Sequence, residues 1–250
     1  MHIIDAHTHI YENGSHGGVD QLLTQMHETS TEKSIVIALP DICSNKWLLA
    51  ECKHYSGKIF AMVSPDFYQQ TWEQDLENYF SHKCCVGMKI HPRYQNIELD
   101  DQRVERALEI AEQYNMPVEV DIFPWGSRLN SPSLSPFALH PLVQKFPKTK
   151  FIVAHCGAPE LMETMLLAKS NKNIYVDISF FLEYFTGFSL IQDLLPLCKK
   201  VGYERFIYGS DFPAYTLKQY FMVVQAIFKN IPYGDWKMLT YLNSKEIFNL

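Results

Sequence analysis

Residues 2–10 read HIIDAHTHI. Ile3, Ile4 and Ala6 make a short apolar run, and His7 and His9 stand two apart at its end. Side chains two apart in a strand leave the same face. Both imidazoles therefore point one way, and together they can chelate a divalent ion. A strand that is apolar along its length and polar at its end fits the C-terminal rim of a barrel of parallel strands.

The rest of the chain repeats that unit. Further apolar runs are SIVIAL (34–39), KIFAMV (58–63), VGMKI (86–90), PVEVDI (117–122), KFIVAH (150–155), IYVDIS (174–179) and RFIYGS (205–210). They are rich in Val, Ile and Phe and lack strict alternation, as strands buried on both faces do. Their average spacing of about 29 residues matches one strand-plus-helix unit. The intervening segments carry helical signals. Residues 100–115, DDQRVERALEIAEQYN, place Val104, Ala107, Leu108 and Ala111 on one face behind two aspartates suited to an N-cap. Residues 159–170, PELMETMLLAKS, put a proline at an early helical position. Eight alternations over 250 residues predict an α/β fold, a (β/α)8 TIM barrel forming a single domain over residues 1–250. The runner-up is a doubly wound open sheet. It lacks a glycine fingerprint after the first strand, and 11 glycines leave little room for one elsewhere.

Composition narrows the function classes. With 47% hydrophobic and 20% charged residues, the chain reads as globular. Its 28 acids against 22 bases give a net charge of −6, which argues against a nucleic-acid partner. No apolar run nears the roughly 18 residues of a membrane span. The opening MHIIDAHTHI carries charge where a signal peptide needs apolar residues. Six cysteines without a C-x-x-C pair read as reduced thiols, so the expected location is cytoplasmic. The expected partner is a small-molecule substrate, and the aromatic content is compatible with a homodimer.

The strand ends carry the chemistry. They offer Asp5, His7 and His9 on the first strand, Lys89 and His91 on the fourth, Glu119 and Asp121 on the fifth, His155 on the sixth, Asp177 on the seventh and Asp211 after the eighth. Buried charges persist only where they satisfy one another or bind something. His7, His9, His155 and Asp211 form an N/O donor set suited to one Zn²⁺, with Mn²⁺ or Fe²⁺ as alternatives. The competing reading is a ring of polar groups that hold the barrel top by mutual hydrogen bonds.

Lys89, His91 and Arg93 in KIHPR form a cationic cluster in an acidic chain. It reads as a carboxylate or phosphate anchor, with Arg93 able to make a bidentate contact. Alternatively, Lys89 neutralises Asp121 or Glu119 inside the barrel and Arg93 faces solvent. FPWGSRLNSPSLSPF (123–137) reads either as a lid or as a surface loop. As a lid, it would offer Trp125 as a hydrophobic wall and Arg128 as a second anion contact. SFFLEYF (179–185) reads as core or interface more readily than as a substrate wall. Asp5 reads as a partner to an imidazole or a backbone turn, and Cys156 as a packed thiol facing the helices.

IDAHTHI, GMKIHPR, FIVAHCG, YVDIS and YGSDFP together resemble the successive strand-end signatures of the amidohydrolase superfamily, in its amidohydrolase-related branch. LNSKEIFNL (242–250) is similar to that branch's closing helix, with Asn243 at the matching place. The resemblance runs from Ile4 to Leu250. TatD-type nucleases share the first signature but carry a glutamate on strand four, where this chain has Met88, Lys89 and Ile90. Phosphoesterases of the polymerase-and-histidinol-phosphatase type need His and Glu positions that this chain does not supply.

The resemblance implies a metal-dependent hydrolase. One divalent ion would sit on His7, His9, His155 and Asp211. The reaction would cleave an amide, lactone or similar acyl bond of a small anionic substrate, with Asp211 as general base and acid. Lys89, His91, Arg93, Asp121, Trp125 and Arg128 would face the substrate. The branch also resembles decarboxylases of small carboxylic acids, and the residue set does not separate the two reactions. The sequence departs from the pattern at strand five, where Asp121 replaces a metal-binding histidine. That favours one metal over a bridged pair, and it keeps open a barrel that binds a ligand without catalysis.

Overall fold

Eight strands run round a ring in chain order. They are β1 (Ile3–Thr8), β2 (Thr31–Ile37), β3 (Ile59–Val63), β4 (Cys85–Ile90), β5 (Val118–Val120), β6 (Phe151–Val153), β7 (Ile174–Asp177) and β8 (Phe206–Ile207). The structure, a computed structural model, describes residues 2–14, 16–39 and 42–250. Neighbouring strands are parallel at every pairing from β1–β2 to β7–β8. Backbone bonds close the ring between its first and last strands. Ala6 N donates to Tyr208 O at 2.9 Å, Asp211 N to His7 O at 2.8 Å and His9 N to Phe212 O at 2.6 Å. The predicted TIM barrel is the observed fold.

Every residue of β1 and β4 is buried, which explains why these runs read as apolar without alternation. The helices outside bury the faces that their spacing marks. Helix Gln102–Gln113 buries Val104, Ala107, Leu108 and Ala111 together with Ile110. Its N-cap is Asp101, whose carboxylate accepts from Arg103 N at 2.8 Å, a contact worth about 1 kcal/mol. The second predicted helix needs a correction. It spans Leu161–Ser170, so Pro159 precedes it and is not one of its early residues.

The later strands are shorter than their apolar runs. Strands β5, β6 and β8 end at Val120, Val153 and Ile207, so Asp121, His155 and Asp211 lie just past the strand ends. Those loops build the rim on which the candidate site stands. Asn243 closes the other end of the chain by donating to Tyr203 O and Phe206 O at 2.8 and 2.7 Å. Among the described residues no helix is long and apolar enough to cross a membrane.

Candidate metal centre and active site

At the β1–β8 seam, His7 Nε2 and His9 Nε2 each lie 3.3 Å from Asp211 Oδ1. Their partners fix which ring nitrogen is free. His9 Nδ1 donates to Ile37 O at 3.1 Å. His7 Nδ1 donates to Asp177 Oδ2 at 2.9 Å and also lies 2.9 Å from Glu119 Oε1. Both Nε2 atoms are thereby turned toward Asp211. This is how carboxylate and carbonyl groups orient metal-binding imidazoles. His7 Nε2 is buried and has no hydrogen-bond partner. The ligand atoms of His7, His9 and Asp211 all lie within 4.8 Å of one another. An orphaned imidazole nitrogen beside a second imidazole and a carboxylate fits a divalent cation.

The local backbone makes room for this arrangement. A Cβ on Gly209 would stand 2.6 Å from His7 Cβ, so only glycine lets the closing segment approach β1 this closely. Asp211 itself has φ of 62°, a left-handed conformation that aspartate tolerates better than most residues. Asp5 does not touch an imidazole ring. Its Oδ1 accepts from Ser210 N at 2.9 Å and from His7 N at 3.3 Å, holding the same seam. Burial lifts the Asp5 carboxyl to about 7.

Burial and the neighbouring charges set the protonation of each group at the seam. Burial opposes a charged His7, but the carboxylates of Glu119 and Asp177 outweigh it and raise His7 to about 10. Burial lowers His9 below the usual histidine range. Burial works against the Asp211 carboxylate too, yet the His9 hydrogen bond and the neighbouring imidazoles hold it below the ordinary aspartate value.

The β4–β6 side is built differently. His91 Nε2 and His155 Nε2 approach the same oxygen, Asp121 Oδ2, at 3.1 and 3.2 Å. Arg93 Nη2 lies 3.8 Å from the other oxygen of Asp121. Burial drives His91 down to about 4, while His91 and His155 keep Asp121 well below the usual aspartate value against its own burial. Arg93 corrects the solvent-exposed alternative. Its side chain is 18% exposed, lines the cavity and keeps a buried Nε without a partner.

Of the four expected ligands, His7, His9 and Asp211 converge and His155 stands beside them. Its ring centroid is 4.9 Å from that of His7. His155 is not on β6. It sits in the turn Ala154–Gly157 with φ of 54°, and Nδ1 donates to Ser179 Oγ at 2.9 Å. His7, His155 and Asp177 form a second close grouping, but His7 and Ser179 already occupy the Asp177 carboxylate.

A cavity of about 520 Å³ opens above these groups, lined by His9, His91, Arg93, Asp121, His155 and Asp211 among others. Phe123, Trp125 and Phe180 form its aromatic side. Two expected substrate contacts lie elsewhere. Lys89 is fully buried opposite Glu119 in the β4–β5 register, and its Nζ bonds Glu119 Oε1 at 2.5 Å. The alternative of an internal neutraliser is the one observed, because Glu119 stabilises the ammonium ion in the barrel interior. Arg128 pairs with Glu98, which also accepts from Ser131 and Ser133, so it straps the 123–137 loop to the loop after β4. Cys156 packs with Leu161, Phe181 and Cys198 as expected.

Two residues escaped the sequence reading. Ser179 Oγ donates to Asp177 Oδ2 and accepts from His155 Nδ1, and it stands 3.2 Å from His7 Nδ1. Its signal was available, since it follows Asp177 by two positions. Phe180, with φ of 61°, lines the cavity from within a run that reads as core.

The sequence profile of the amidohydrolase family matches residues 4–249. The chain belongs to the amidohydrolase family. Among solved structures, this amidohydrolase is similar to a probable 2-pyrone-4,6-dicarboxylic acid hydrolase from Acinetobacter baumannii with citric acid bound. That comparison has a TM-score of 0.78 at 16% identity and covers 100% of both chains. An amidohydrolase from Burkholderia multivorans with bound zinc gives 0.78 at 13% identity, again over 100% of both chains. The 5-carboxyvanillate decarboxylase from Sphingomonas paucimobilis gives 0.76 at 10% identity over 100% of this chain and 99% of the other. At such identities the likeness is one of fold. No curated protein matches the sequence.

Proposed function

We propose that this amidohydrolase uses one divalent ion, zinc by its donor set, to hydrolyse an amide, lactone or similar acyl bond in a small carboxylate-bearing substrate. The observation that carries the reading is the convergence of His7 Nε2 and His9 Nε2 on Asp211 Oδ1, 3.3 Å from each. A divalent ion bound there supplies Lewis acidity. The chain's own residues do the rest. Asp211, ionised at neutral pH, takes a proton from water at the cavity floor and returns it to the leaving group. Arg93, which lines the cavity, offers its guanidinium to the substrate carboxylate. Asp121 steadies Arg93 and His91, and the Phe123–Trp125–Phe180 side excludes water.

Decarboxylation of a small aromatic acid is the second reading, favoured by that same aromatic side. In it Asp211 takes a proton from water and passes it to the carbon that loses CO₂, and the hydroxide left behind combines with the CO₂ as bicarbonate. The six free thiols support a cytoplasmic location. The test is Asp211→Asn. It should retain zinc by metal analysis and lose roughly 10²- to 10⁴-fold in turnover. Unchanged turnover overturns the role of Asp211, and absence of zinc from wild-type protein grown in excess metal overturns the centre. Product analysis on an acyl and carboxylate panel separates hydrolysis from CO₂ release.

A further inference from the structure

Of the six free thiols, Cys43, Cys52, Cys85, Cys156 and Cys198 are buried, and Cys84 alone is partly exposed. Cys84 stands at the head of β4, whose first residue is Cys85. The helix Asn45–His54, which follows β2, buries Leu48, Leu49 and Cys52. Two contacts bring Cys84 onto that buried face. Its Sγ lies 3.9 Å from Leu49 O, and Leu49 and Cys52, three apart in the helix, are neighbours on its surface. The side chains of Cys84 and Cys52 are hydrogen-bonded to each other. The last turn of this helix and the start of β4 therefore meet at the end of the barrel opposite His7, His9 and Asp211, which stand at strand ends. The reaction proposed above uses neither thiol.

The six sulfurs are unequal. Burial pushes Cys43 and Cys85 up to about 12 and raises Cys156 and Cys198 as well. At Cys84 the hydrogen bond from Cys52 outweighs partial burial and brings the thiol down to about 7. Cys52, the donor of that bond, is raised by it and by burial. The thiolate is the reactive form of cysteine, so the accessible sulfur is also the nucleophilic one. A protonated, buried thiol waits directly behind it.

We propose that Cys84 and Cys52 form a peroxide-reactive modification site, in which Cys84 is oxidised first and Cys52 resolves it into a reversible disulfide. The Cys84 sulfur attacks one oxygen of hydrogen peroxide and the O–O bond breaks. The second oxygen leaves as hydroxide and takes up the proton that Cys84 had shed. Cys84 is then a sulfenic acid. The Cys52 sulfur attacks that sulfur, and the sulfenic hydroxyl departs with the Cys52 proton as water. Two thiols give up two electrons and two protons, and one peroxide becomes two waters. The product pins the helix Asn45–His54 to the head of β4.

The test treats the reduced, full-length protein with one equivalent of hydrogen peroxide, followed by thiol counting in denaturant and peptide mapping. Wild type should lose two of its six thiols, yield a Cys52–Cys84 disulfide and regain all six with dithiothreitol. Cys84→Ser should keep its thiols under the same treatment. Cys52→Ala should stop at a sulfenic acid on Cys84, captured by dimedone. Because Cys52 lies in the core, labelling of the wild type provides a check that needs no variant. Iodoacetamide at pH 7 should alkylate Cys84 about tenfold faster than the other cysteines. Retention of all six thiols, a disulfide between other cysteines, equal alkylation rates, or thiol loss in Cys84→Ser as fast as in wild type overturns the site.

Discussion

The β1–β8 seam and the β4–β6 side use nearly the same residues to opposite ends. Each sets two imidazoles around an aspartate. At the seam, His7 and His9 have their Nδ1 atoms occupied, and their Nε2 atoms face Asp211 beside an orphaned nitrogen. On the other side, the carboxylate of Asp121 stands between His91 and His155 and also meets Arg93, so its charge is answered within the protein. The difference lies in the outer partners. Where a carboxylate or carbonyl takes Nδ1, the ring is presented to a cation. Where a guanidinium joins two imidazoles at the carboxylate, as Arg93 does at Asp121, the cluster answers its own charge.

That contrast can be broken by exchanging the loss. Asp121→Asn should cost about 3 kcal/mol in chemical denaturation, since it removes one member of a buried charged cluster, yet leave zinc content intact. A variant that keeps its stability but loses zinc would erase the distinction between the two sides. A smaller effect is expected at the clamp between them. Ser179→Ala should weaken zinc binding roughly 10- to 100-fold in a chelator competition, because it frees the rings of His155 and His7.

Zinc uptake should also depend on pH. His7 is raised to about 10, so below that pH the metal must displace its proton. Affinity then climbs about tenfold per pH unit between pH 6 and 8, and a flat profile would show that His7 is not a ligand. The smallest effect is expected at the anion-binding end. Arg93→Gln should raise KM for carboxylate substrates roughly five- to tenfold with little change in kcat, the signature of lost uniform binding.

The seam was legible because its logic is local. His7 and His9 obey the period of a strand, and Asp211 announces itself in YGSDFP. The other side was less legible because its geometry comes from turns. His155 reaches the site through a left-handed residue after β6, where the period of two no longer applies. Arg93 is brought back over the cavity by the short helix Pro92–Gln95, a bend that a proline in KIHPR suggests without giving its direction. Arg128 failed for a different reason. Its partner Glu98 lies in another loop, and nothing near residue 128 points to it. Lys89 and Glu119 could be paired only once the register of β4 against β5 was known.

The closing bonds from Ala6, His9 and Asp211 lie in the same few residues as the converging nitrogens and carboxylate. An ion gripped there would buckle the hoop, fastening the first strand of the chain to the segment that follows its last. Taking the ion away would do more than silence chemistry. It would leave the seam to those amides and to the Asp5 carboxylate, and the amides would then exchange faster with deuterium than in the loaded protein.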